Sequence, residues 1–586
     1  MIESSAEQLQ IIGAPIAPMS VIACAGSGKT FTAVRRLAEM RRQLGDQRGR
    51  IALLSFSNIA VNTFRREYQN LVQSEFASIA YGRVEIDTLD SFITSNVLCP
   101  HAYRTMGCDR APFLVAGTEP FLQNRDFRFW AEPAGRPAFP VRPPDLHKVV
   151  VNLHAGRPRC DLRSQNTLIP IHNGATVISR LGALGAYTHD IGRYWCHRTL
   201  AKQPGVLRAL ARRYPHILID EAQDVGTVHQ AIIEQLIGAG SQVSLIGDPN
   251  QGIYEFAGAD GTFLTQYGQR AGVMRLGLTR NYRSVPAVLD VANRLSARAD
   301  TAQRVAPETT HGTFFVPYRN TDLENLVAAF QAAVLAADLK LERSAVLCRG
   351  RTMADKLSGS EGAPGQGTVK GFAQAAILRD RNKDYRGAFK LVVAGIVGLL
   401  ADPPHGLASQ IAQPARSSDD RALRRIIWAF TRNPESGLPA ATLIANAQWH
   451  SLMLERTRAL LARIAQLHGL VSIGNLGNKL ARTGLPNAPM IAAADLAANA
   501  VARIRADTVH QAKGESLDAV LYLAAKKEHA SALLAGVDTE VGRIGYVAVT
   551  RARNLMWLGI PANSLAELRP VLISRGFQEI GAAAQA

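Results

Sequence analysis

The sequence predicts an α/β protein, with two parallel-sheet domains into which mainly helical segments are inserted. Three observations carry that expectation. Short apolar runs alternate with helical periodicity in the first third of the chain and again from about residue 276. A glycine-rich turn joins the first apolar run to a helix, and the stretches between the alternating regions lose the pattern. Buried runs separated by helices are the pattern of a parallel sheet covered on both faces.

The first strand is "MSVIAC", which ends at the turn "ACAGSGKT" (23–30), and residues 30–43 follow as a helix. "IALLSFS" (51–57), "HILID" (216–220) and "VSLIG" (243–247) are the next strands of the same sheet. "SAVLCRG" (344–350) and "DAVLYLA" (518–524) are the clearest strands of the second. Between about 100 and 195, "RDFRFWAEPAGRPAFPVRPPDLHK" is rich in Pro, Arg and aromatics and reads as an inserted segment. The stretch 356–494 is mostly helical; within 452–468, Leu460, Leu461, Ile464 and Leu467 fall on one face and Gly469 stops the helix. The tail "GAAAQA" is expected to fray.

At 586 residues the chain is too long for one core. Lys and Arg number 66 against 48 Asp and Glu, a formal charge of +18. That excess draws polyanions, nucleic acid above all, although a general preference for Arg would give the same count. The six cysteines (24, 99, 108, 160, 196 and 348) form no C-x-x-C pair, so buried thiols are expected rather than a zinc site. "MIESSAEQLQ" lacks the features of a signal peptide, and the longest apolar run, Leu391–Ala401, is shorter than a membrane span. A cytoplasmic protein with no membrane partner is expected.

Strand, A-x-x-x-x-G-K-T and helix together form the context of a phosphate-binding loop. Bulky side chains would block the approach of a phosphate, hence Ala25, Gly26, Ser27 and Gly28. Lys29 would reach the β and γ phosphates, and the Thr30 hydroxyl would bind Mg²⁺. In "ILIDEAQD" a buried strand delivers two carboxylates: Asp220 to hold Mg²⁺ and Glu221 to orient and deprotonate water. Together the two motifs favour ATP hydrolysis over passive binding.

With "IDEAQD" followed by "LIGDPNQGIYEFAGA", the sequence resembles the UvrD/Rep-type superfamily 1A DNA helicases, and the likeness runs in order over nearly the whole chain. The resemblance implies that Gln8 of "EQLQII" contacts adenine, that Tyr282 of "LTRNYRS" stacks on it, and that Arg283 is an arginine finger. It gives Gln251 the role of γ-phosphate sensor beside Asp248, and makes Arg551 of "YVAVTRARNLMWLG" the second finger. In "DTVHQAKGESLDAVLYL" it places His510, Lys513 and Gly514 in the motif that couples DNA to nucleotide, with Glu515 toward the ribose. DNA contacts fall on Phe56, Asn58, Thr88, Phe256 and His510, with Phe256 stacking on a base. The sequence departs from the family at Phe256 and Ala257, where Trp and Arg are common, and at Asp90, where His is usual. Gly514 is followed by Glu515, Ser516 and Leu517 where the family reads Gly-Leu-Glu-Phe.

The implied architecture is two RecA-like domains, 1A (1–105 and 196–275) and 2A (276–355 and 495–575), with inserts 1B (106–195) and a reduced 2B (356–494), then a tail 576–586. The implied activity is an ATP- and Mg²⁺-dependent 3′-to-5′ helicase on single-stranded DNA or DNA with a 3′ overhang. The alternative is a DNA-stimulated ATPase that serves as one subunit of a complex with a nuclease partner, as in antiviral defence; repair is another setting. With little chain after Arg551, no fused nuclease is expected.

Overall fold

The computed structural model describes residues 4–75, 83–117, 119–154, 156–164, 167–357, 363–404, 406–412, 418–491 and 504–580. The expected tail "GAAAQA" and the boundary near 494 lie outside the described residues.

Two six-stranded parallel sheets organise the chain. The first runs in the order Met274–Leu278, Met19–Ala23, Gln242–Gly247, His216–Ile219, Ile51–Ser55, Val84–Thr88. Its alternate side chains enter separate cores on its two faces: Leu53, Leu218 and Ile246 on one, Leu54, Ile219 and Leu245 on the other. Period-2 alternation with both faces covered is why these strands read as unbroken apolar runs. The second sheet runs Arg505–Thr508, Ala345–Cys348, Leu517–Leu523, Ala552–Pro561, Gly312–Tyr318, Gln578–Glu579. Its alternation is the same, with Val520 and Tyr522 facing one core and Leu521 and Leu523 the other.

Four details differ from expectation. The strand Met274–Leu278 straddles residue 276, yet it pairs with Met19–Ala23 in the first sheet, so the chain crosses between lobes only after it. Gln578–Glu579, expected in the tail, pairs with Phe314 and Phe315 in the second sheet. The first insert is not mainly helical. It carries a five-stranded antiparallel sheet, in the order Phe139–Pro140, Trp130–Ala131, Thr167–Ile171, Arg157–Ser164, Val149–His154. Prolines and short strands hide its alternation from a periodicity reading. Cys99 is exposed, whereas the other five cysteines are buried, and none forms a disulfide.

The second insert folds around its own core, in which Phe372, Val392, Trp449 and Ile464 are fully or almost fully buried. Its helix His450–His468 ends at Gly469, which adopts φ 68° and donates its N–H to Ala465. Leu460, Leu461 and Ile464 are buried as expected, but Leu467 is 56% exposed because it lies in the last turn, beyond the packed face. Among the described residues, no helix is long and apolar enough to cross a membrane.

Candidate nucleotide cleft and adjoining groove

The turn after Met19–Ala23 is shaped by two glycines in the left-handed region, Gly26 at φ 72° and Gly28 at φ 77°, the latter capping the helix Lys29–Leu44. Packing adds a steric requirement at Gly26, while at Gly28 the nearest atom is the movable end of a side chain. A Cβ on Gly26 would lie 2.5 Å from the Arg283 Cβ, and one on Gly28 would lie 2.9 Å from the Gln8 amide nitrogen. Gly26→Ala therefore combines backbone strain with a clash against the second lobe. It is expected to lower nucleotide affinity at least tenfold, measured by titration with a fluorescent ATP analogue, because about 1.4 kcal/mol of misfit suffices.

Gln8, Ser27 and Tyr282 gather at this turn. Gln8 Nε2 donates to the Ser27 carbonyl (3.3 Å), and Gln8 Oε1 accepts from Ser5 N–H (3.0 Å) in a helix-capping pair. Tyr282 N–H donates to the Gly26 carbonyl at 2.8 Å. Asn281, to which the motifs assign no role, ties the lobes together. Its Nδ2 donates to the Ala25 carbonyl (2.6 Å), and its Oδ1 accepts from the N–H groups of Arg283 and Ser284 at 2.8 Å each.

Asp220 and Glu221 end the strand His216–Ile219. Asp220 is buried and its Oδ1 has no hydrogen-bond partner. Glu221 sits at φ 54°, unusual for a residue with a side chain, and its carboxylate accepts from Gln223 Nε2 at 2.5 Å. The two carboxyls split. Burial, then the neighbouring Glu221 charge, pushes Asp220 up. Burial acts upward on Glu221 too, but Lys29, Lys513, Gln223 and Arg551 outweigh it and hold Glu221 ionised. Gln223 Oε1 also accepts from Asp248 N–H at 3.0 Å. The motif "ILIDEAQD" assigns Gln223 no role, although its place beside the carboxylates is a signal the sequence contains.

Across the cleft, Arg551 is 2% exposed at the end of the helix Glu540–Arg551. Its Nη2 donates to Gln251 Oε1 (2.6 Å) and its Nη1 to the Glu515 carbonyl (3.2 Å). Gln251 Nε2 donates in turn to Asp248 Oδ2 at 2.8 Å. Arg283 Nη1 donates to the Thr550 carbonyl (2.9 Å); burial, then the nearby Arg551 charge, lowers its pKa to about 9. Lys513 bridges the lobes as well, with its Nζ 2.5 Å from Asp224 and 2.8 Å from the Gln251 carbonyl. Arg543, on the same helix as Arg551, donates to the Gly252 carbonyl at 2.6 Å. The Glu515 side chain, expected at the ribose, pairs with Arg505 of the strand Arg505–Thr508.

Of the residues assigned to DNA, Phe56, Asn58, Thr88 and Phe256 line two cavities that share Phe56, Asp90, His147, Asp190 and Arg193, whereas His510 lines neither. One, of about 570 Å³, also meets Asn58 and Thr88; the other, of about 280 Å³, meets Phe256. Thr88 caps the helix Leu89–Ile93 by accepting from Ser91 N–H (3.0 Å), and Asn58 is exposed. Asp90 binds Arg193 through both oxygens (2.7 Å each), and its Oδ1 lies 2.9 Å from His229 Nε2. His510 Nε2 donates to the Ile253 carbonyl at 3.1 Å, and its ring meets Tyr254. Gln251 and Phe256 thus lie on one short segment, against which His510 packs, whereas Gln8 and Tyr282 sit against the glycine turn.

A phosphate-binding loop on one parallel-sheet lobe, faced by buried arginines from a second, defines a two-lobed P-loop nucleotide-binding protein. The family of the UvrD/REP helicase N-terminal domain matches residues 4–115 and 187–271. The ATP-dependent DNA helicase UvrD2 of Mycobacterium tuberculosis is 24% identical over 438 residues, which is 68% of this chain and 62% of that protein. DNA helicase II of Haemophilus influenzae is 25% identical over 296 residues, 50% of this chain and 40% of that protein. One subunit of the ATP-dependent helicase/nuclease of Natranaerobius thermophilus is 32% identical over 132 residues, 21% of this chain and 10% of that protein. The chain spans less than two thirds of the length of each of these relatives. In these matched segments the chain is similar to the UvrD/Rep type of superfamily 1A.

Proposed function

We propose that the chain is an ATP-driven motor on single-stranded DNA that moves 3′ to 5′ and separates duplexes ahead of it. One observation carries this reading: Arg551 of the second lobe reaches Gln251 of the first at 2.6 Å, with Arg283 alongside and Glu221 ionised opposite. Cations placed on the far side of a P-loop can offset charge that spreads onto the γ-phosphoryl oxygens. The loop of Gly26 and Gly28 suits a triphosphate, and the partnerless Asp220 Oδ1 suits a divalent cation. Thr30 and Asp220 would hold Mg²⁺, whose contribution when bound is to neutralise the β and γ phosphoryl oxygens. Gln8 and Tyr282 would border the adenine, with Lys29 on the phosphates and Glu221 orienting water.

Closing the cleft brings Arg551, Arg283 and Lys513 inward; opening releases them. Tyr254 and His510 connect this movement to the groove that holds Phe56 and Phe256. A strand gripped alternately by the two lobes would then advance once per ATP.

A second reading, a DNA-stimulated ATPase working within a complex that contains a nuclease, is favoured by one observation, the 32% match to part of a helicase/nuclease. ATPase assays with and without oligo-dT, and unwinding of duplexes with 3′ or 5′ overhangs, test both. The motor reading expects stimulation by single strands and unwinding from 3′ overhangs. Unwinding only from 5′ overhangs overturns the polarity; stimulation with no unwinding favours the second reading.

A further inference from the structure

The first insert carries a residue that no motif identified. Arg163, on the strand Arg157–Ser164, lays its guanidinium over the Phe256 ring, with Cζ 4.4 Å from the ring centroid. We propose that Arg163 grips a backbone phosphate of the single strand, with Phe256 serving as its stacking support rather than as a platform for a base. The inference rests on the single-strand reading above and names a contact within it.

Three observations support it. First, a guanidinium held over an aromatic ring leaves N–H donors free to match the oxygens of a phosphodiester. Second, the charge is available. The groove carboxylates are engaged elsewhere, Asp90 and Asp190 by Arg193 and Asp224 by Lys513, and no described carboxylate pairs with Arg163. Third, the stack is held in place from the insert. Asn152 Nδ2 donates to the Phe256 carbonyl (3.2 Å), and Thr227 Oγ1 accepts from Leu153 N–H (3.2 Å) and donates to Asn152 Oδ1 (3.0 Å). The strand Val149–His154 that supplies Asn152 pairs directly with the strand of Arg163. The insert sheet thereby brings Arg163 to the lining of the 280 Å³ cavity, with Phe56 and Tyr254. A base entering the covered face of Phe256 would have to displace Arg163.

The grip also has a path to the cleft. Phe256 meets Tyr254 edge-on, with centroids 6.0 Å apart, and Lys513 Nζ lies 4.8 Å from the Tyr254 ring centroid.

The test is binding of a fluorescent oligo-dT to the full chain by polarisation across a salt series, for the wild type, Arg163→Ala, Arg163→Lys and Phe256→Leu. Arg163→Ala is expected to weaken binding roughly tenfold near about 0.1 M salt and to flatten the log–log salt slope by about 0.7, the loss of one single-strand phosphate contact. Arg163→Lys keeps the charge but not the flat fork, so it retains the slope and loses part of the affinity. Phe256→Leu is expected to behave like Arg163→Lys. If Arg163→Ala leaves affinity and slope unchanged, or binds more tightly, the grip is refuted, the second result marking the guanidinium as a cover. A wild-type chain that does not bind the oligomer would instead refute the single-strand reading itself, a result distinct from any behaviour of the variants.

Discussion

Glu221→Gln is expected to lower DNA-stimulated ATP turnover about 10²- to 10³-fold while leaving nucleotide binding nearly intact, since a positioned proton acceptor contributes on that order. The substitution is nearly isosteric. The amide can still accept from Gln223 Nε2, so the φ 54° turn that aims the side chain into the cleft keeps its partner. What it loses is the ability to take a proton, and the negative charge that Lys29 and Lys513 stabilise at this position. Steady-state phosphate release with saturating oligo-dT, paired with titration of a fluorescent ATP analogue, separates the two effects. Hydrolysis at the wild-type rate would remove Glu221 from the reaction.

Arg551→Ala is expected to lower turnover further, about 10³-fold or more, the range for an arginine finger. The side chain bridges the Gln251 amide, the Glu515 carbonyl and the Val547 carbonyl. Removing it takes a cation from the cleft and frees the Gln251 side chain, the expected γ-phosphate sensor. The Val547 carbonyl keeps the Thr550 hydroxyl as a donor, but the Gln251 and Glu515 oxygens each lose one, at about 1–3 kcal/mol for a buried acceptor left unpaired, so a thermal melt must accompany the assay. Arg551→Lys supplies the control. It keeps the charge but cannot span three acceptors, and is expected to melt closer to wild type while remaining at least tenfold slower. A lysine variant with full activity would show that charge alone suffices and would overturn the positioning argument.

Much of the fold is legible in the sequence because its signals are local. The runs around Leu53, Leu218 and Ile246 are apolar on both sides of each strand, which only a covered parallel sheet requires. The helix ending at Gly469 is legible for the same reason, whereas Leu467 departs from expectation because helical periodicity does not report where along the helix the packed face ends. The first insert's sheet is hidden because its strands are short, proline-rich and antiparallel, with no long alternation to detect. In the cleft, Asn281 and Gln223 lie inside recognisable motifs, but their hydrogen bonds run to Ala25 and Asp248, partners that become neighbours only once the sheets are assembled.

By itself the sequence determined the phosphate loop, the two carboxylates at a strand end and the order of the motifs. Each depends on backbone conformation or side-chain chemistry within a few residues. Tertiary structure alone decided which groups meet: Arg551 with Gln251 across 300 positions, Lys513 with Asp224 across 289, and Arg163 on Phe256. The Glu515 carboxylate pairs with Arg505, while its backbone carbonyl accepts from Arg551. The reason is physical: short-range preferences fix the shape of each element, but the distance between charges on different elements follows from how the cores beneath them pack.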